Sequence, residues 1–287
     1  MTTNDDLRAI AREVFMAACH AREVERIREY GDTDSMMWPE EDVEGNYRSI
    51  LVEFEKFTTP DLGGFADIAT HLESAITTVS LGDAALLKDS LLGLDGWQGT
   101  AKRAFDENYV ARWDDYRDIH ATLIESLRSA VTVHTELYDR MRDKAFQIGE
   151  TAKAALEGID SWPLWLSAKE GAEITVKVAG LVTSALTSVG GKLGTVMIGV
   201  VTADTALAGT NAAVTVEGQW VREILDSMHQ ALVGLDIEIS YEEEKIRRTL
   251  ADNVFEIEER LALIVPPEPE LAAVDPNAPG DDLAPTT

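Results

Sequence analysis

The sequence contains a single cysteine, Cys19, so it offers neither an intrachain disulfide nor a cysteine-based metal cluster. Basic residues are also few, because 25 Lys and Arg stand against 52 Asp and Glu and give a formal net charge of −27. Nucleic-acid binding requires clustered basic side chains that neutralise phosphates, so nucleic acid is not expected as a partner. The acidic amino terminus also lacks the basic and apolar blocks of a secretory signal peptide.

Proline is scarce before residue 266, and six of the nine prolines lie from that position onward. Residues 265–287 are therefore predicted to form a disordered, acidic, Pro-rich tail. Neither glycine nor proline occurs between Gly99 and Gly149, and the 49 intervening residues would form a helix about 70 Å long. Apolar residues there recur every three or four positions, which predicts one continuous amphipathic helix.

Similar spacing predicts the other helices, with Asn4 as the cap of the first, and with Gly234 and Glu242 as interruptions of the last apolar stripe. The predicted helices cover residues 4–28, 43–57, 65–94, 100–148 and 219–264. The fold class predicted is all-α, an elongated bundle of long antiparallel helices with an apolar Gly/Ala/Val-rich helical hairpin. The predicted parts are a bundle at 1–165, the apolar hairpin at 166–218, a long helix at 219–264 and the tail at 265–287.

The apolar segment differs in charge from the rest of the chain. Residues 168–216 carry three basic and three acidic side chains, so the whole −27 lies outside them, and they hold seven of the 20 glycines. Their longest uncharged run, residues 178–191, is 14 residues long, whereas a membrane-spanning helix needs about 20. An ordinary transmembrane helix is therefore not expected here.

Two interpretations of the apolar segment remain open. The first is a pair of small-residue helices packed inside the bundle, because small side chains let helices approach closely. The second is an apolar hairpin that turns at Gly190–Gly191 and enters a membrane or a partner. Alternation at Ile174, Val176 and Val178 also permits a short strand pair. The candidate packing or membrane residues are Val178, Leu181, Gly190, Gly191, Gly194 and Val200.

Catalytic motifs are absent from the sequence: there is no phosphate-binding loop, no dinucleotide fingerprint, no Gly-x-Ser-x-Gly elbow and no His-Glu-x-x-His. The five histidines never recur at the spacing that places two metal ligands on one helical face. No catalytic residue, metal or cofactor is therefore predicted. His120 and His134 are interpreted as partly buried residues of a helix interface, with a pH-sensitive contact as the alternative.

The short sequence Asp95-Gly96-Trp97-Gln98-Gly99 falls between two predicted helices, where its glycines permit a tight reversal. Here the chain resembles the Trp-x-Gly family of helical hairpins associated with type VII (ESX) secretion, and the related PPE-type and Esp-like helical proteins. The resemblance covers about residues 64–158. It implies helix-to-helix association with a helical partner, either a small Trp-x-Gly protein or a second copy. The partner-binding residues that it implies are Trp97, Gly99, Phe105 and Trp113.

Substrates of that pathway carry a Tyr-x-x-x-Asp/Glu export signal after a helical hairpin. In this chain only Tyr30 and Asp34 have that spacing, and they precede the Trp-x-Gly turn. The resemblance implies a secreted or cell-surface protein that leaves the cytoplasm without a signal peptide, either by its own signal or with a partner that supplies one.

The function expected from these features is a non-enzymatic helical protein of a type VII secretion system, acting as a secreted substrate, a targeting partner or a self-assembling component. The alternative is an α-helical pore-forming or membrane-active protein that inserts residues 168–216. A scaffold or immunity-type binding module is a third hypothesis. An enzyme is the least expected, because no constellation of residues supports it.

Overall fold

The structure is a computed structural model of the chain. It describes residues 2–30, 40–59, 62–81, 99–160, 175–177, 182–191, 194–203, 213–215 and 220–265. The α-helices within these residues are α1 Asn4–Tyr30, α2 Glu40–Glu55, α3 Leu62–Leu81, α4 Thr100–Asn108, α5 Trp113–Asp160, α6 Val221–Glu259 and α7 Leu261–Ile264. The strands are β1 Thr175–Lys177, β2 Val182–Gly191, β3 Gly194–Ala203 and β4 Ala213–Thr215.

The predicted bundle of long helices is confirmed, since α1, α5 and α6 contain 27, 48 and 39 residues. Gly234 does not interrupt α6, and Glu242 occupies the inward position that the apolar spacing assigns to it, at 6% exposure. The proposed extension of α3 toward residue 94 and the predicted tail beyond Val265 lie outside the described residues.

The long helix predicted from Thr100 is two helices. α4 ends at Asn108, and a 3-10 turn at Val110–Arg112 precedes α5, which then continues to Asp160. Asp114 and Asp115 lie in the first turn of α5, where acidic side chains interact favourably with the helix dipole. The break therefore has a local signal in the sequence, although neither glycine nor proline marks it.

Thr3, not the predicted Asn4, caps α1. The Thr3 hydroxyl accepts a hydrogen bond from the Asp6 backbone N–H at 3.1 Å, and the Asp6 carboxylate accepts one from the Thr3 backbone N–H at 2.8 Å. This reciprocal pair satisfies two backbone donors at the helix start, as a capping box does. The same hydrogen bonds from Thr3 lower the pKa of Asp6.

The apolar segment forms strands where a helical hairpin was predicted. β2 and β3 pair with each other, and Gly190 and Gly191 are the last two residues of β2, so the turn predicted at Gly190–Gly191 is not formed there. Ten of the residues from 182 to 203 are Val, Ile or Thr, and these β-branched side chains favour extended backbone over helix. The short strand pair permitted by the alternation is also found, because β1 pairs with β4 in antiparallel register, Val176 opposite Val214.

The chain divides into two compact units. Unit 1 comprises residues 1–64, 134–182 and 203–244. Its core is formed by the buried faces of α1, α2, the second part of α5 and the first part of α6. Buried polar side chains fix the ends of these helices: Glu25 accepts a hydrogen bond from Val221 N–H at 2.5 Å at the start of α6, and Arg142 donates to the carbonyls of Phe57 and Thr58.

Unit 2 comprises residues 65–133, 183–202 and 245–287. Within it the first part of α5, β3 and α7 share a small apolar core of Ile119, Ile198 and Ile264. Helix α3 is joined to α5 by an ion pair between Glu73 and Arg128 at 3.3 Å. The last turns of α6 also belong to this unit, and they contact β3 through polar side chains.

Candidate functional site

The Trp-x-Gly turn is described only from its last residue. Trp97 lies outside the described residues, whereas Gly99 is exposed and precedes the first residue of α4. Its φ is +99°, a left-handed backbone conformation that glycine adopts without the steric strain of a side chain. The glycine of the tripeptide therefore stands immediately before the start of a helix.

The two aromatic residues assigned to the same partner surface lie on either side of the helix break. Phe105 is half-buried in α4 and its ring stacks on Tyr109 with the ring centroids 5.3 Å apart. Trp113 is half-buried at the first position of α5. Both side chains keep part of their surface accessible to solvent.

The remaining predicted site residues are placed as follows. Tyr30 is the last residue of α1, and its proposed export partner Asp34 lies outside the described residues. Val178 and Leu181 also lie outside them. Gly190 and Gly191 end β2, Gly194 begins β3, and Val200 is half-buried within β3.

Side chains from α6 hydrogen-bond to one edge of β3. The side-chain amide of Asn253 acts as a partner strand would, because its Oδ1 accepts from Gly199 N–H at 2.6 Å and its Nδ2 donates to Gly199 C=O at 2.8 Å. Two residues earlier on the same edge, Met197 N–H donates to Glu256 Oε1 at 3.2 Å. These contacts satisfy backbone groups that an uncovered edge strand would leave open for pairing.

Helix α5 completes this contact. The Ser126 hydroxyl donates to Gly199 C=O at 2.7 Å and accepts from Asn253 Nδ2 at 2.9 Å. Ser126 is 1% exposed and Asn253 is 6% exposed, and losing Asn253 would leave the buried Gly199 N–H without its acceptor. We call Ser126, Asn253 and Glu256 the edge-binding side chains.

Close packing at Gly199 brings the strand against α6. A Cβ atom at this position would lie 2.7 Å from Thr249 Cγ2 and 3.1 Å from Asn253 Oδ1. Glycine is therefore required for the backbone of β3 to come within hydrogen-bonding distance of Asn253. Ile198 and Val201 are buried beside it, at 0% and 1% exposure.

One of the edge-binding side chains, Asn253, could have been identified from the sequence, because it is a polar residue at an apolar position of the last helix. Asn253 lies three residues after Leu250 and four before Ile257, and therefore occupies an inward position of the helical stripe. A buried amide must find hydrogen-bond partners. The glycine-containing strand β3 offers them, because Gly199 lets its backbone come close to α6.

A second polar cluster lies in unit 1. Tyr138 donates a hydrogen bond to Glu243 Oε1, and His134 Nε2 lies 3.3 Å from the same oxygen. The rings of His134 and Tyr138 are stacked at 5.3 Å. Burial, the hydrogen bond to Glu243 and the charge of that carboxylate raise the pKa of Tyr138, so the phenol stays protonated.

His120 is also bonded to another helix, since its Nε2 lies 2.9 Å from the carbonyl oxygen of Ile264 within unit 2. His120 and His134 are both half-buried. Each of the two therefore takes part in a contact between helices, and they belong to different units.

The described residues provide little reactive chemistry. Burial raises the pKa of the Cys19 thiol, which disfavours the nucleophilic thiolate. No group of three or more His, Cys, Asp or Glu within the described part of the chain is placed to hold a metal ion. Among the helices that the structure describes, none is both long and apolar enough to span a bilayer.

Comparisons with known proteins return no matching family model, no matching curated protein and no matching solved structure.

Proposed function

We propose that this protein is a non-enzymatic helical component of a type VII (ESX) secretion system, and that it acts through helix-to-helix association. The observation that supports the proposal is the conformation of the glycine of the Trp-x-Gly sequence: Gly99, with a φ of +99°, immediately precedes α4. A glycine in this conformation lets the chain reverse before a helix, as the turn of a helical hairpin requires. The half-buried Phe105 and Trp113 follow it and offer aromatic surface to a partner helix.

The proposal includes three roles for the protein, which are a secreted substrate, a targeting partner and a self-assembling component. Export would take place from the cytoplasm without a signal peptide, with Tyr30 and Asp34 as the proposed signal. The proposal includes no chemical role.

The proposal predicts that Trp97→Ala weakens capture of a helical partner. The partner to test is a small Trp-x-Gly protein encoded beside this one, co-expressed and recovered with the tagged full-length chain. Removing a large aromatic anchor from an interface costs about 2 kcal/mol or more, so at least a tenfold loss of affinity is expected.

Trp220→Ala is the matched control, because Trp220 is 48% exposed and lies far along the sequence from the turn. The control variant should retain the partner. Equal capture by the Trp97→Ala and wild-type chains would contradict the proposal, as would a gene neighbourhood without secretion ATPases or small Trp-x-Gly proteins.

A second candidate function, membrane activity, is favoured by the composition of β2 and β3. The two ten-residue strands contain no charged side chain, and the one charge between them is Lys192. We propose as the alternative that this hairpin leaves α6 and enters a lipid surface, while the high negative charge elsewhere keeps the free protein dispersed.

The second candidate predicts that Asn253→Leu increases dye leakage from liposomes, because it removes the amide that holds β3 at Gly199. Adding Val200→Asp to this variant should abolish the leakage, since it places a charge within the strand. Gln147→Leu is the control, because it replaces an exposed amide on α5 with the same apolar side chain. Absence of leakage from every variant at neutral and acidic pH would remove this candidate.

A further inference from the structure

The outward face of α6 in unit 1 carries three apolar side chains in one line. Val233, Ile237 and Tyr241 are 39%, 64% and 64% exposed. They are spaced by four residues, so they lie above one another over about 12 Å of the helix. The inward face of the same turns is fully used, because Ala231, Leu232, Leu235 and Ile239 are buried. We call Val233, Ile237 and Tyr241 the outer stripe.

The surroundings of the outer stripe are acidic. Between Arg222 and Lys245, helix α6 contains seven Asp and Glu residues and no Lys or Arg. Asp226 and Asp236 are exposed on the same part of the helix. Burial first, and then the charge of Glu242, raise the pKa of Glu238.

We propose that the outer stripe binds an amphipathic helix of a partner protein that places apolar residues at helical spacing on Val233, Ile237 and Tyr241 and flanks them with Lys or Arg. Apolar residues at this spacing form the contact surface of helix-to-helix recognition. The acidic side chains attract basic flanks and repel acidic ones, so they set the kind of partner and its orientation.

The same charge argument disfavours a second copy of this chain on the outer stripe. Two copies would bring together two acidic surfaces from chains that each carry a formal charge of −27. Like charges placed against each other across an interface oppose association. This inference concerns a surface separate from the Trp-x-Gly turn and does not rest on the proposed secretion function.

The test uses the full-length protein and a fluorescently labelled synthetic helix with Leu at heptad spacing and Lys at the remaining positions. Binding is measured by fluorescence anisotropy. The double variant Ile237→Ser/Tyr241→Ser should bind this peptide at least tenfold more weakly than the wild-type chain. Val52→Ser is the control, because Val52 is an apolar residue of α2 with 57% exposure, and it should leave the affinity unchanged.

Two further peptides separate the apolar contribution from the charge. A peptide of the same composition with Leu scattered around the helix, and one with Glu in place of Lys, should both bind at least tenfold more weakly. Equal binding of the scattered peptide, or an equal loss in Val52→Ser, would overturn the proposal. So would a wild-type dimer, detected by sedimentation, that the double variant dissociates, because the occupant would then be a second copy. Trp97→Ala should leave peptide binding unchanged, so this result is independent of the secretion proposal.

Discussion

Replacing Gly149 with leucine is expected to lower the free energy of unfolding by about 3 kcal/mol, the upper end of the usual cost of overpacking. Gly149 is buried in α5, and a Cβ atom there would lie 2.7 Å from Ile10 Cγ1 and 3.0 Å from Phe54 Cζ. Ile10 and Phe54 are each 1% exposed. Neither side chain can move aside into solvent, so α5 itself would have to move away from α1 and α2.

Gly158→Leu is the matched control on the same helix. No heavy atom lies within 4 Å of a Cβ placed at Gly158, so the substitution should gain about 0.8 kcal/mol from the better helix propensity of leucine. Urea unfolding followed by far-ultraviolet circular dichroism measures both variants. If the two substitutions changed stability equally, the close approach of α5 to α1 and α2 at Gly149 would be contradicted.

The sequence predicts the inward face of α5 well in unit 1. Leu137, Met141, Ala145 and Ile148 follow the apolar spacing and are all buried. Large apolar side chains repeated at this spacing can be buried only on one side of a helix. The inward face of the helix could therefore be read from the residues alone, whereas its bounds, Trp113 and Asp160, could not.

The prediction is less accurate where a polar contact sets the helix orientation. The apolar stripe assigns Leu127 to the core, but Leu127 is 46% exposed and its neighbour Ser126 is buried. Ser126 is inward because its hydroxyl donates to Gly199 C=O, more than seventy residues away in the sequence. The spacing of apolar residues gives no information about such a hydrogen bond.

The end of the chain shows a similar limit. Trp220 and Leu261 belong to the apolar stripe of the last helix, yet they are 48% and 54% exposed, whereas Val221 and Ile264 are buried. Helix α6 begins one residue after Trp220 and ends at Glu259, before Leu261. Both residues stand just beyond the ends of α6, where the spacing of the helix no longer fixes their direction.

The apolar segment was assigned to helices because its small residues permit close helix packing. The same residues also serve a strand, since a glycine lets the backbone of β3 approach α6 at Gly199. The Val, Ile and Thr residues between the glycines favour the strand, because β-branched side chains lose less conformational freedom in a strand than in a helix. The residue types therefore predict the strands. They do not predict that Asn253 of α6 binds the edge of β3.

Asn253→Leu is expected to lower the free energy of unfolding by about 3 to 5 kcal/mol, because it leaves one buried donor without a partner at about 1 to 3 kcal/mol and removes two further hydrogen bonds at about 0.5 to 1.5 kcal/mol each. The buried donor is Gly199 N–H, which loses the Oδ1 acceptor, whereas the oxygens of Gly199 and Ser126 lose the Nδ2 donor but keep the hydrogen bond between them. Leucine has the same number and branching of side-chain heavy atoms as asparagine, so the substitution leaves no cavity.

If the hairpin separates from α6 before the rest of unit 2 unfolds, the loss of stability in Asn253→Leu first increases local opening at β3. Native-state hydrogen exchange should then show faster exchange of the Gly199 and Met197 amides in Asn253→Leu, because both donate to side chains of α6. Gln147→Leu, the exposed amide control, should change neither the stability nor this exchange.

Asn253→Asp distinguishes the two halves of the amide contact. A carboxylate keeps an acceptor for Gly199 N–H but has no donor for Gly199 C=O, and it brings a negative charge to a site with 6% exposure. We expect it to be at least as destabilising as Asn253→Leu, since an unpaired buried charge costs more than an unpaired amide. A fully stable Asn253→Asp would show that the hydrogen bonds donated by Asn253 Nδ2 to Gly199 C=O and Ser126 Oγ do not stabilise the contact between β3 and α6.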